Sequence, residues 1–185
     1  MGALGLLVVR LVVGGLLAGH GAQKLFGAFG GSGIEGTTKF FGKLGLRPAD
    51  TWARVGGMAE LTAGSLTAAG LLSPIGPTIA FAPMTVAWAK AHRGRPIWVT
   101  EGGAELPATN LAAASALLFT GPGALSLDRL LGIRVPWWLS LAAMAATALG
   151  IAVALRDEIH EAAEAARAEE QAEEALEAGE VPAAT

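Results

Sequence analysis

Cysteine is absent from this chain of 185 residues, and charged residues are scarce at 16%. The lack of cysteine excludes a disulfide scaffold, a cysteine-ligated zinc site, a cysteine-ligated iron–sulfur cluster and a catalytic thiol in this chain. A soluble domain carries roughly 25% charged residues, so this chain has too little charge for an ordinary soluble surface. Its 52% of hydrophobic residues excludes disorder over most of its length. The composition therefore predicts a small membrane protein with a few spans.

Five apolar segments are candidates for membrane helices, each of which needs roughly 17–25 apolar residues. They lie at about residues 4–25, 52–72, 75–90, 106–119 and 136–155. The third and fourth segments are short, and Pro83 should kink the third. The first segment has no basic region before its apolar run, so we interpret it as a span and not as a signal peptide. The pattern predicts an all-α, polytopic membrane helix bundle.

Charge is distributed unevenly along the chain. From Arg156 onward the net charge is −8, whereas residues 1–155 carry +5. This acidic part is rich in alanine and glutamate, so it should continue the fifth helix into water and end at Gly179 and Pro182. We divide the chain into a four-helix membrane domain (residues 1–132), a fifth transmembrane helix (133–155) and an acidic cytoplasmic tail (156–185).

Basic residues in the loops predict the orientation in the membrane. With five spans, ten lysines and arginines of the loops and tail fall on one side, and the other side has only Arg129 and Arg134. Cytoplasmic loops carry the excess of lysine and arginine. The protein is therefore predicted in the cell membrane, with its N-terminus outside and its tail in the cytoplasm.

The first segment has polar groups along one side of its helix. At 100° per residue, this side carries three ionisable residues, which are Arg10, His20 and Lys24. Gly14 and Gly21 fall on the same face. A polar, glycine-lined stripe is therefore predicted to face the protein interior. Gly15 and Gly19 form a G-x-x-x-G alongside, which would permit close approach of another helix.

Depth along the helices predicts which polar groups can meet. With a rise of about 1.5 Å per residue, three residues reach one level and form a candidate quinone or polar-core site: His20, Glu60 and Asn110. A shallower, interfacial layer contains Lys24, Lys90, His92 and Glu105. At the opposite end, Arg10 and Asp128 form a candidate structural pair. Each set has a structural alternative, because buried charges can simply fix helix register, and no catalytic residue or metal site is assigned.

Several stretches together resemble the DoxX family. They are the run from Arg10 to His20-Gly-Ala-Gln-Lys24-Leu-Phe-Gly, Phe29-Gly-Gly-Ser-Gly-Ile-Glu-Gly-Thr37 with Phe40, Leu44-Gly-Leu-Arg47-Pro, Glu60 with Gly64, Pro74, His92 before Trp98, Glu105, and Gly121-Pro-Gly-Ala-Leu-Ser-Leu-Asp128. The resemblance covers about Leu4 to Gly132 and implies a four-helix membrane bundle. It also implies an association with membrane oxidoreductase systems, including quinone-linked oxidation of sulfur compounds. The fifth span and acidic tail depart from the four-span pattern.

Three functions are compatible with these features. The first is an accessory or anchor subunit of a quinone-linked oxidoreductase complex in sulfur or oxidative-stress metabolism, in which His20 or Glu60 exchanges protons with a bound quinone. The chain has no evident electron-transfer cofactor of its own, so partner redox enzymes would supply the electrons. The second is a non-enzymatic scaffold or assembly factor, and the third is a small-molecule carrier. The expected partners include membrane lipid and a second copy of the chain, but no nucleic acid.

Overall fold

The computed structural model describes residues 2–177, and every regular element in them is helical. The five predicted apolar segments coincide with five of the eight α-helices. In chain order the helices are α1 (Ala3–Phe26), α2 (Gly33–Lys43), α3 (Ala49–Ala69), α4 (Ile75–Val86), α5 (Glu105–Thr120), α6 (Leu127–Leu131), α7 (Trp137–Ala154) and α8 (Arg156–Glu177). The short helices α2 and α6 lie in loops for which the apolar pattern predicts no helix.

Two π-helical turns widen the long helices. The first, Arg10–Gly14, lies within α1, and the second, Ala87–Ala91, continues α4 beyond Val86. Pro83 lies inside α4, one turn before the second of them. A π-helical turn contains one extra residue and is common at functional sites. The second turn leads directly to His92, a residue of the candidate site.

Among residues 2–177, two helices are long and apolar enough to cross a membrane by length and composition. They are α1 and α7, with mean hydropathies of 1.9 and 1.7. Only Ala154 of α7 is buried, although nearly all residues of this helix are apolar. An apolar helix without protein cover is stable where lipid covers it. This finding identifies two candidate spans and leaves the predicted total of five open.

The chain forms two compact units, with the division between Ile151 and Ala152. In the first unit, contacts join α1 to α3, α3 to α4 and α4 to α5. The buried core at their centre is small and apolar, and consists of Leu17, Ala63, Ala80, Met84 and Ala114. In the second unit, α8 is exposed from Ile159 to residue 172. The predicted helix end at Gly179 and Pro182 lies outside the described residues.

Glycines bring α1 and α3 into backbone contact. A Cβ atom on Gly14 would lie 2.5 Å from the backbone nitrogen of Ala68, and one on Gly64 would overlap the backbone nitrogen of Ala18. Gly21 meets α3 in the same way at Leu61. The prediction that Gly14 and Gly21 face the protein interior is confirmed. We call this contact between α1 and α3 the glycine seam.

The G-x-x-x-G motif of α1, formed by Gly15 and Gly19, does not make the close helix contact that was predicted for it. Nothing lies within 4 Å of the position of a Cβ atom on either Gly15 or Gly19. The close approach within this chain is therefore made by Gly14 and Gly21, and the prediction for Gly15 and Gly19 is wrong for this bundle. The reason is the 100° step of the helix, which turns a neighbouring glycine away from α3.

Candidate functional site

Arg10 and Asp128 lie in one cluster, and both form hydrogen bonds with backbone atoms. The Arg10 guanidinium donates to the carbonyl oxygen of Leu125 at 2.7 Å and also to that of Pro122. The carboxylate of Asp128 accepts from the backbone nitrogens of Leu72 and Ser73, each at 2.8 Å. The cluster thus ties the start of α1 to the turn between α3 and α4 and to the loop before α6. These hydrogen bonds to the backbone hold the three segments together.

At the other end of the first unit, α1, α2, α3, α4 and α5 line a cavity of about 560 Å³. Most of its wall is apolar, with aromatic side chains from α2 and α3 that include Phe40, Phe41 and Trp52. Six polar side chains also line it: His20, Lys24, Glu60, His92, Arg95 and Asn110. Small-molecule sites are concave, mostly apolar and carry a few polar groups that orient the ligand. This cavity has that composition.

An ion pair between Lys24 and Glu60 lies in the cavity wall. Glu60 is buried and Lys24 is partly buried. The glycine seam explains the pair, because Gly21 and Gly57 lie one turn before the two charged residues and bring α1 and α3 together there. Lys24 was predicted in the interfacial layer, but its ammonium group pairs with Glu60 of the polar-core site. The pair neutralises two charges that would be costly to bury singly.

Hydrogen bonds fix two further cavity residues. The ring nitrogen Nδ1 of His92 lies 2.7 Å from the carbonyl oxygen of Gly102, and Nδ2 of Asn110 lies 3.3 Å from the sulfur of Met84. Both partners belong to the part of the fold that closes the cavity, which is the loop after α4 and α4 itself. These hydrogen bonds therefore orient the two side chains.

The other two residues of the predicted interfacial layer have separate positions. Glu105 accepts a hydrogen bond from the backbone nitrogen of Val99 at 2.9 Å and so orders the loop before α5. Lys90 lies in the π-helical turn Ala87–Ala91. Of the seven residues in the two predicted polar layers, the structure thus brings five to one cavity: His20, Lys24, Glu60, His92 and Asn110. Among residues 2–177, no three His, Asp or Glu side chains are placed to hold a metal ion.

The comparisons with known proteins give one match. Residues 5–93 match the DoxX family model. This part of the chain belongs to the DoxX family. The match is shorter than the resemblance from Leu4 to Gly132, and no curated protein or solved structure matches the chain. The match assigns a DoxX domain to residues 5–93, and this domain supports a membrane protein of the DoxX type in a lipid environment.

The DoxX domain supplies most of the cavity, and the chain after it completes the wall. His20, Lys24, Glu60 and His92 lie within the matched residues, whereas Arg95 and Asn110 follow them. Helix α2 also belongs to the domain, and its Phe40 and Phe41 were missed as cavity residues. Their sequence signal is the helical spacing of Ile34, Thr37, Phe41 and Leu44 in a loop rich in glycine.

The hydroxyl group of Thr37 helps to fasten α2 of the DoxX domain to α1. Thr37 is buried, and its Oγ1 lies 3.1 Å from the carbonyl oxygen of Lys24 and 2.8 Å from that of Gly33. Carbonyl groups in the last turn of a helix lack helical partners, so the one at Lys24 is open to such a donor. This contact holds the aromatic residues of α2 over the cavity beside the Lys24–Glu60 pair.

Proposed function

We propose that this DoxX-type protein is an accessory subunit of a quinone-linked membrane oxidoreductase complex and holds a quinone in the cavity. The observation that carries the proposal is the Lys24–Glu60 pair in the wall of an otherwise apolar cavity of about 560 Å³. Ligand sites commonly have volumes of about 300–1,000 Å³. A quinone has a polar ring and an apolar tail, so it needs polar groups at one part of a site and apolar surface elsewhere.

The polar groups suit a ligand that exchanges protons. His20 and Glu60 line the same cavity. A positioned histidine or carboxylate can transfer a proton to or from a bound ring oxygen. Electrons would come from a partner enzyme, because the chain has no cysteine to ligate an iron–sulfur cluster. This chain would bind the quinone and exchange protons with it, and the partner enzyme would supply the electrons. The chain is therefore proposed as an accessory subunit.

Quinone extraction from the purified protein tests this proposal. We expect near-stoichiometric quinone in the wild-type protein purified in native-lipid nanodiscs, and at least a tenfold loss in Glu60→Gln and His20→Ala. Thr109→Ala is the matched control, because Thr109 is exposed on α5 next to Asn110. Quinone that is absent from every preparation, or equally present in all four proteins, would overturn the proposal. Circular dichroism confirms that the variants keep their helix content.

The proposed topology has five spans, formed by α1, α3, α4, α5 and α7, with the N-terminus outside and α8 in the cytoplasm. The distribution of basic residues supports it, because the loops and tail on the α8 side carry ten lysines and arginines. The exposed aromatic residues Phe26, Phe40, Trp88 and Trp98 lie near the same ends of these helices. Aromatic side chains are enriched at membrane interfaces.

Single-cysteine labelling checks this topology cleanly, since the natural chain has no cysteine. We expect Thr100→Cys and Ala162→Cys to react with a membrane-impermeant maleimide only after the cells are opened. Ala124→Cys should react in intact cells. All three positions are exposed. Labelling of Ala162→Cys in intact cells would contradict the orientation, and labelling of Thr100→Cys and Ala124→Cys from the same side would contradict the number of spans.

A second function, that of a non-enzymatic scaffold, is favoured by one observation. Helix α8 is exposed from Ile159 to residue 172, and the chain from Arg156 onward carries a net charge of −8. Such a helix can dock a basic soluble enzyme. Truncation after Leu155 separates the two functions: a scaffold loses its co-purifying partners, whereas a quinone-binding subunit keeps its quinone.

A further inference from the structure

A separate cleft of about 530 Å³ is formed by the loop between α5 and α7, which contains the short helix α6. Its charged side chains are Asp128, Arg129 and Arg134. The cleft shares Asp128 with the Arg10–Asp128 cluster, so it lies at the end of the first unit opposite the cavity with the Lys24–Glu60 pair. Its volume falls within the range of about 300–1,000 Å³ that is usual for ligand sites.

Positive charge predominates in this cleft. Asp128 is buried, and both of its carboxylate oxygens accept hydrogen bonds from the backbone of the turn between α3 and α4. Arg129 and Arg134 are exposed, and within the part of the chain that the structure describes neither guanidinium group forms a hydrogen bond or an ion pair. Between Glu105 and Asp157 the sequence has no acidic residue other than Asp128. The cleft therefore presents two unpaired positive charges to an anion.

The cleft lies where both candidate spans begin. Helix α7 starts at Trp137, shortly after Arg134, and the loop packs against the first turns of α1, since a Cβ atom on Gly123 would lie 3.1 Å from Cδ1 of Leu6. Large apolar side chains are exposed around the two arginines: Leu125, Leu130, Leu131, Trp137 and Trp138. Tryptophan is enriched at the boundary between lipid and water. This border of leucine and tryptophan is suited to contact with acyl chains.

We propose that this cleft binds the phosphate group of an anionic phospholipid through Arg129 and Arg134. A planar guanidinium group matches the oxygens of a phosphate with two parallel N–H donors. The apolar border favours a lipid over a free phosphate, which has no acyl chains to contact it. Phosphatidylcholine has the same phosphate, but its choline group brings a further positive charge close to the arginines, which repel it. The site does not depend on the proposed quinone site.

Quenching of a local fluorophore measures this lipid preference. Because the natural chain has no cysteine, a coumarin maleimide can be attached to Leu131→Cys, which is exposed beside the cleft. The labelled full-length protein is placed in phosphatidylcholine nanodiscs, which then receive phosphatidylglycerol or phosphatidylcholine with the same doxyl-labelled acyl chain. One basic residue near a lipid surface changes the affinity about fivefold. We expect phosphatidylglycerol to bind at least tenfold more tightly, and equal quenching by the two lipids would overturn the proposal.

Variants in the labelled protein show whether the preference comes from the two arginines. Arg129→Gln with Arg134→Gln should lower the affinity ratio of the two lipids at least fivefold, whereas Arg129→Lys with Arg134→Lys keeps both charges and should keep most of it. Arg156→Gln with Arg167→Gln is the control, because it removes the same charge from exposed positions of α8. An unchanged ratio in the first variant, or an equal loss in the control, would overturn the assignment to this cleft.

Soluble glycerol phosphate distinguishes a lipid from a free phosphate as the ligand. A tenfold molar excess over the doxyl-labelled phosphatidylglycerol should leave the quenching unchanged, because glycerol phosphate makes no contact with the apolar border. Displacement of the lipid by this excess would indicate a site for soluble phosphate and overturn the choice of a lipid. Circular dichroism of each variant checks that its helix content equals that of the wild type.

Discussion

Gly64→Ala is expected to destabilise the protein by at least about 3 kcal/mol, at the upper end of the range for overpacking a close-packed site. The added methyl group would overlap the backbone of Ala18 and the carbonyl oxygen of Gly14 in the glycine seam. Backbone atoms cannot move aside as a flexible side chain can, so α1 and α3 must separate. Thermal unfolding of the full chain in detergent, followed by circular dichroism, measures the loss.

Gly15→Ala is the control for this prediction. The substitution is chemically identical and lies in α1, but nothing lies within 4 Å of the new methyl group. We expect its stability to equal or exceed that of the wild type, because alanine is favoured over glycine in a helix by about 1 kcal/mol. Equal melting temperatures for Gly64→Ala and Gly15→Ala would show that the seam does not hold α1 against α3.

The second large effect is expected at the Lys24–Glu60 pair. Glu60→Leu leaves the ammonium group of Lys24 without its partner, and removing one member of a buried pair costs about 3–5 kcal/mol. The Lys24 side chain keeps 25% of its surface exposed, so we expect a loss near the lower limit. The measurement is denaturant unfolding of the full chain in detergent.

The double variant Lys24→Met with Glu60→Leu should recover most of that stability, because two apolar side chains of similar size replace the pair. Asp157→Asn is the control, since the Arg156–Asp157 pair has side chains about two thirds exposed. Its effect should stay below about 1 kcal/mol. Additive losses in the double variant would indicate that Lys24 and Glu60 do not act as a pair.

If the double variant folds but no longer retains quinone, the pair has a role beyond stability. Its charges would then orient the ligand and not only fix the register of α1 against α3. Retention of quinone by the folded double variant would assign the pair to structure alone and leave His20 as the proton-exchanging candidate. The two measurements, stability and bound quinone, therefore separate the structural and functional explanations of this pair.

The residues that share one face of a helix could be predicted from the helical period. Gly14 and Gly21 share a face with Arg10, and the structure buries all three, because a helical step of 100° is independent of tertiary contacts. The apolar run of α7 was equally clear from composition. By contrast, helix α2 was not predicted, since it is short, contains two glycines beyond its first residue and lies in a glycine-rich loop.

The meeting of Lys24 with Glu60 depends on more than backbone depth. Counting the rise along each helix places the two residues in different layers, but a lysine side chain is long enough to reach across such a difference. Whether it does so depends on the distance between the helices, which glycines at the seam make unusually short. A depth count contains neither the side-chain reach nor that distance.

By itself, the sequence determined the helical class, the resemblance to the DoxX family, the polar face of α1, the acidic tail and the absence of thiol chemistry. Each of these depends on composition or on spacing within one segment. Only the tertiary structure decided that Gly14 and Gly21, and not Gly15 and Gly19, form the close contact. It also decided that His20, Lys24, Glu60, His92 and Asn110 share one cavity. The physical reason is that helix rotation, helix separation and loop closure arise from contacts between segments distant in the chain.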